Sequence, residues 1–286
     1  MEYAIEMQGV TKQYHRFCLN HIDFRVPKGC VMGLIGENGA GKTTLIKSVL
    51  GLIHTDAGEI FIEGRKLSED EVAVKEELGV VFDGCSFPEE MDIRGIRRIM
   101  PGLYRKWDME QFDRLMERFG LPEDQHIKDY SRGMKMKLSI GVALSHHAKL
   151  LIMDEATSGL DPVIRDEILD LFLEFMQDEE HSMLISSHIT SDLEKIADYI
   201  TFLKNGEIIF SENKDDLLYR YGILKCGKKE RETLDSSCFV AERENAFEEE
   251  ILIKDRKEFI RRYPDCVVDP VSLEDIILFY VRGKLL

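Results

Sequence analysis

Gly36-Glu37-Asn38-Gly39-Ala40-Gly41-Lys42-Thr43-Thr44 decides the fold of this chain. The stretch has the spacing Gly-x4-Gly-Lys-Ser/Thr. It lies between an apolar run, Val31–Ile35, and a stretch of helical periodicity over 42–50 that stops at Gly51. Strand, glycine-rich turn and helix in that order make a phosphate-binding loop. Glycines let the backbone curl so that N–H groups point inward at phosphate oxygens. The helix opening at Lys42 adds its free N–H groups and the positive end of its dipole. Lys42 is placed to reach the β- and γ-phosphates, the Thr43 hydroxyl to ligate Mg²⁺, and Thr44 to donate once more to phosphate. The expected cradle is therefore the whole run: Gly36, Glu37, Asn38, Gly39, Ala40, Gly41, Lys42, Thr43 and Thr44.

Outward from the loop, a second apolar run, Leu150-Leu151-Ile152-Met153, delivers Asp154-Glu155 at its carboxyl end, where ligands bind in open α/β sheets. Asp154 is the expected metal-side carboxylate. Glu155, nearer the γ-phosphate, is the expected residue to orient or activate water. Met183–Ser186 reads as another buried strand. Short strands are expected at 2–8, 21–26 and 59–63, and Asn205-Gly206 between apolar stretches signals a hairpin. Helices are expected at 42–50, 108–119, 133–147, 162–177 and 190–197. Strands alternating with helices predict an α/β fold with a parallel sheet. The stretch 88–147 has little strand character and reads as a helical insertion.

The chain has 286 residues, 44% of them hydrophobic, and a net charge of −16. That length suits one large domain with a small appendage, and the composition rules out general disorder. No apolar run approaches the ~18–20 residues of a spanning helix. Met1–Glu6 lacks the basic-then-apolar pattern of a signal peptide. Cys18, Cys30, Cys85, Cys226, Cys238 and Cys266 have no metal-site spacing, so free thiols in a reducing compartment are expected. The acidity argues against nucleic acid as a partner. Residues 219–286 hold 13 basic and 14 acidic side chains, so nearly all of the excess acid lies in 1–218. That shift places the expected boundary near Leu218.

Further elements follow in order: Tyr130-Ser131-Arg132-Gly133-Met134, then Ser158-Gly159-Leu160-Asp161, then His188 after a strand. With the phosphate loop and Asp154-Glu155 they resemble ATP-binding cassette (ABC) ATPases over residues 3 to about 215, in the form common among subunits of bacterial exporters. The resemblance implies a P-loop NTPase core with a parallel sheet, an antiparallel β subdomain and a helical subdomain at about 88–147. Residues 219–286 add a small C-terminal α+β accessory region. It implies ATP and Mg²⁺ as cofactors and Mg-dependent ATP hydrolysis coupled to transport. A second ABC ATPase subunit and a separate transmembrane permease are the implied partners, and the inner face of the cell membrane the implied location. By the same resemblance Tyr14 stacks on adenine, Ser131 and Gly133 bind the ATP of the other subunit, His188 senses the γ-phosphate, and Asp161 reaches across the dimer. Glu155, His188 and Lys42 are then the catalytic set, and Thr43, Asp83 and Asp154 the metal set.

The sequence departs from the family pattern at two places. Arg132 and Met134 replace a glycine and a glutamine of the signature, and Asp83 stands where glutamine is usual. Asp83 either holds a metal-bound water or only starts the turn Asp83-Gly84. Arg94, Arg97, Arg98, Arg105 and Lys106 form a basic island, which reads either as a solvated face or as the border of a docking surface. A soluble ABC ATPase acting on nucleic acid or ribosomes is the alternative function. It is disfavoured by the single phosphate loop and by Lys42 and Asp154 being only 112 positions apart.

Overall fold

Apolar runs too short for helices become strands covered on both faces. The computed structural model describes residues 2–69, 71–244 and 249–286. In chain order the elements of the first part are β1 (Tyr3–Gln13), β2 (Cys18–Pro27), β3 (Val31–Ile35), α1 (Lys42–Val49), β4 (Ala57–Ile62), β5 (Arg65–Lys66), α2 (Glu71–Lys75) and β6 (Leu78–Val81). Then come α3 (Ile93–Ile99), α4 (Met109–Arg118), α5 (Arg132–Leu144), β7 (Leu150–Asp154), α6 (Pro162–Phe175), β8 (Ser182–Ser186), α7 (Thr190–Ile196), β9 (Tyr199–Lys204) and β10 (Glu207–Asn213).

Six strands form one sheet in the order β10-β9-β3-β8-β7-β6. The pairs β9–β3, β3–β8, β8–β7 and β7–β6 are all parallel. Every residue of β3, β7 and β8 is buried, as their unbroken apolar character requires. Because the strands run the same way, the carboxyl ends of β3, β7 and β8 meet at one edge and bring the phosphate loop, Asp154-Glu155 and His188 together. β10 is joined through Asn205-Gly206, whose positive φ values of 51° and 80° make the turn expected from the dipeptide.

A second, antiparallel sheet has the order β2-β1-β4-β5. Its first two strands are longer than the 2–8 and 21–26 expected from sequence, because β1 continues through irregular pairing on both sides of Val10 instead of ending at Gly9. Ala4, Met7, Leu19 and Phe24 from this sheet share a core with Leu34, Leu45, Ile152 and Leu203.

Region 88–147 is helical, as expected. Asp92, Asp108 and Ser131 cap α3, α4 and α5, each accepting a backbone N–H three residues on. Phe112, Leu115 and Met116 form the buried stripe of α4. Among the described residues, no helix is long and apolar enough to cross a membrane.

The chain divides into compact units Met1–Ser211 and Glu212–Leu286, so Leu218 lies inside the second unit. That unit contains α8 (Lys214–Arg220), β11 (Gly222–Cys226), α9 (Lys228–Arg231), β12 (Phe239–Glu244), β13 (Glu249–Ile253), α10 (Arg256–Arg262), β14 (Val267–Asp269), α11 (Leu273–Arg282) and β15 (Lys284–Leu285). Its antiparallel sheet, in the order β14-β11-β13-β12-β15, has its own core of Leu224, Cys226, Phe239, Ile251, Ile253 and Phe259. Ser272 and Asp275 form a complete capping box at the start of α11.

Candidate nucleotide site

The loop between β3 and α1 lines a cleft of about 1560 Å³. Gly41 sits there at φ 112°, a conformation that side chains rarely adopt, and a Cβ on it would stand 2.6 Å from Phe17 Cζ. Lys42 is 6% exposed, and its Nζ donates to the carbonyl of Gly36 at 2.7 Å and of Glu37 at 3.4 Å. The ammonium is thus curled into its own loop, 3.5 Å from Glu155 Oε1.

Glu155 is fixed from several directions. Its φ of 56° is unusual for a side-chain-bearing residue, and such backbone is typically retained at functional positions. Its N–H donates to the Ser186 carbonyl and to Ser186 Oγ, each at 3.1 Å. Oε2 accepts from His188 Nδ1 at 2.5 Å. An ionised carboxylate can only accept, so this contact puts a proton on Nδ1. Ser186 Oγ donates in turn to Asp154 Oδ1 at 2.6 Å, which holds that buried carboxylate at the end of β7. One serine on β8 therefore holds the Asp154 carboxylate and the backbone of Glu155. Among the described residues, no group of three or more His, Cys, Asp or Glu side chains is arranged to hold a metal ion by itself. Mg²⁺ is commonly bound through one or two protein oxygens plus phosphates, so of the expected set Thr43 and the buried Asp154 fit it, while Asp83 is engaged by Arg132.

Residues 19–158 match a family model described as ABC transporter. The bacitracin transport ATP-binding protein BcrA of Enterococcus faecalis is 33% identical over 220 residues, covering 76% of this chain and 71% of that protein. The chain belongs to the ABC transporter family. It falls among the family's ATPase subunits of exporter type. The ABC transporter ATP-binding protein YtrB of Bacillus subtilis is 27% identical across 93% of this chain and 94% of its own length, so that likeness extends into the second unit. A solved structure of an ABC transporter ATP-binding subunit is 26% identical with a TM-score of 0.68, covering 76% of this chain and 92% of that one. These relatives favour transport over the nucleic-acid alternative.

Within this ABC transporter subunit, the cleft gathers Gly36, Glu37, Asn38, Gly39, Gly41, Lys42, Thr43, Thr44, Asp83, Glu155 and His188. Six expected residues lie outside its lining: Tyr14, Ala40, Ser131, Gly133, Asp154 and Asp161. Tyr14 does not line the cleft. Its N–H bonds to the Phe17 carbonyl at 2.7 Å, and the resulting turn puts Phe17 against the loop while Tyr14 stays 42% exposed. Asp161 caps α6, accepting from the N–H groups of Val163 and Ile164. Ser131 and Gly133 open α5 outside the cleft of their own chain. A Cβ at Gly133 would lie 2.6 Å from Ile164 Cδ1, so α5 packs closely against α6 at this glycine.

Sequence reasoning missed Phe17, Arg16, Ser158 and Glu207 as cleft residues. Two aromatics within the short loop 14–17 were the available signal for Phe17. Asp83 reaches the cleft edge, but its Oδ1 accepts from Arg132 Nη2 at 2.6 Å. Two of the five residues of the basic island are paired with acids, while Arg94, Arg98 and Lys106 are exposed. Arg97 pairs with Asp113 and Glu123, and Arg105 with Glu76, acids remote in sequence and adjacent in space.

Proposed function

We propose that this ATPase subunit works as one of a pair of cassettes, hydrolyses ATP in a Mg-dependent reaction, and drives export through a separate transmembrane permease at the inner face of the cell membrane. The observation that carries the reading is Glu155, held between Lys42 and His188 in the phosphate-loop cleft. Backbone N–H groups of the loop and Lys42 bind the phosphates. Glu155 accepts the proton of the attacking water, and His188 keeps its carboxylate aimed. Thr43 and Asp154 would hold Mg²⁺, which would supply positive charge against the phosphates. Phe17, beside Gly41, is the ring we assign to the base. Ser131 and Gly133 open α5 outside their own cleft, which supports their service to the partner's ATP.

Coupling to the permease is supported by neighbours in sequence that line different clefts. Asp83 lines the nucleotide cleft, while Phe82 and Gly84 line an apolar groove of about 550 Å³ with Ile99, Leu103 and Val142. Leu103 is 66% exposed, which suits a surface covered by a partner. We therefore place the docking surface at this groove and not on the basic island.

The test is ATPase activity of the purified chain against protein concentration, with Mg²⁺ or with EDTA. A paired, Mg-dependent enzyme gives activity that rises faster than linearly and vanishes in EDTA. Linear, EDTA-resistant turnover would contradict both parts.

A further inference from the structure

The cleft that receives a polyphosphate carries more acid than base. Glu37, Asp83, Glu155 and Glu207 line it against Arg16 and Lys42. Glu155 is answered by Lys42 and His188. Asp83, at the edge, is answered from outside the cleft lining by Arg132, which stands at the opening of α5. The guanidinium also lies over Gly159, where a Cβ would come within 2.5 Å of Nη1 and 2.8 Å of Cζ. The missing side chain at Gly159 is thus what lets Arg132 lie where it meets Asp83. Both partners are about half exposed, at 48% and 56%, and a pair so exposed contributes little to folding. Its place at the mouth of an anion site gives it a different use.

We propose that Arg132 is a charge-compensating residue for nucleotide binding: it neutralises Asp83 so that this carboxylate does not repel the phosphates of ATP entering the same chain's cleft. The two departures from the family pattern are then one matched change. An aspartate brought to the cleft edge needs a cation, and the arginine in the signature supplies it. The proposal rests on the ATP reading of the cleft. It assigns Arg132 a role in its own chain, separate from that of Ser131 and Gly133.

The experiment measures ATP affinity of the full chain by equilibrium titration, in EDTA and in Mg²⁺, at low and high salt. Arg132→Gln leaves Asp83 unpaired. ATP binding in EDTA should weaken about threefold to tenfold, and less in Mg²⁺ or high salt, where other cations screen the carboxylate. Arg132→Lys should keep wild-type affinity. Asp83→Asn should bind ATP in EDTA as tightly as wild type or tighter, and Asp83→Asn/Arg132→Gln should recover what Arg132→Gln lost. This asymmetry separates charge compensation from a structural joint, in which either single change would do equal harm. The proposal is overturned if Arg132→Gln binds ATP like wild type in EDTA, or if the double variant is as weak as Arg132→Gln. Failure of the wild-type chain itself to bind ATP would overturn the underlying reading instead.

Discussion

Lys42 Nζ lies 3.5 Å from Glu155 Oε1, so the phosphate-loop lysine and the carboxylate that follows β7 are paired within the cleft. The loop and the second strand end are therefore one electrostatic unit. Phosphate oxygens entering the cleft compete with Glu155 and the loop carbonyls for the ammonium. Replacing Lys42 with Ala removes the charge-assisted bonds and leaves Glu155 without its cation. ATP affinity should fall about 10- to 100-fold while the chain stays folded, which calorimetric titration and a melting curve together can check.

Ser186 is a quieter determinant. Its hydroxyl donates to Asp154 and accepts from the Glu155 N–H, in a strand that is buried throughout. Ser186→Ala leaves a buried carboxylate short of a donor. Stability should drop by about 1–3 kcal/mol, and turnover should fall more than ATP affinity. Denaturant titration and steady-state kinetics separate the two effects, and an unchanged kcat would show that Asp154 and Glu155 do not depend on this serine.

The apolar groove gives a prediction about the partner. Leu103→Glu places a charge where Phe82, Ile99 and Leu103 meet. Association with the permease should be lost, because burying an unpaired carboxylate is costly. ATPase activity of the isolated subunit should persist, since Leu103 belongs to no nucleotide motif. Co-purification from membranes measures the first and a phosphate-release assay the second. Substituting Arg98 by Glu should do less.

His146 predicts a pH dependence. It is 1% exposed, stacks on Tyr104 with ring centroids 4.0 Å apart, and sets Nε2 2.9 Å from the Leu78 carbonyl, which ties the end of α5 to β6. Burial pushes its pKa below the ordinary 6.5, against the raising effect of the carbonyls of Leu78 and Val142. The folded chain therefore binds fewer protons here than the unfolded chain. This contribution to stability is intact above the ordinary value of 6.5 and is lost as pH falls through the lowered folded value. His146→Gln should flatten that part of the melting-temperature profile relative to wild type. An identical slope in the two proteins would mean that His146 does not titrate between the folded and unfolded states.

How far the sequence was legible follows from how local each signal is. Gly36–Thr44 carries its own glycines, lysine and helix start. Asp154-Glu155 follows a run that can only be a buried strand, and Asn205-Gly206 marks its hairpin by dihedral preference alone. Each was readable because its cause lies within a few residues. Phe17 was not, because the turn 14–17 chooses between two aromatics by a backbone bond that no pattern announces. The Arg97 pairs join residues separated by 16 and 26 positions, and Arg132–Asp83 joins residues 49 apart. Part of a basic run in sequence is thus tied to acids in space, and two separate oddities became one contact. The boundary moved from Leu218 to Ser211 because the second unit begins where contacts change, ahead of the change in charge.

The central claim is that this cleft hydrolyses ATP with Glu155 as the base. Glu155→Gln keeps the size of the side chain and removes the carboxylate that Lys42 and His188 address. The decisive measurement is a single-turnover assay on this variant with Mg²⁺ and ATP, with the bound nucleotide identified and the particle mass recorded. The account predicts a rate about 10²–10³ below wild type, with ATP retained unhydrolysed on a chain that has become a dimer. Hydrolysis at the wild-type rate, leaving ADP on a monomer, would contradict it.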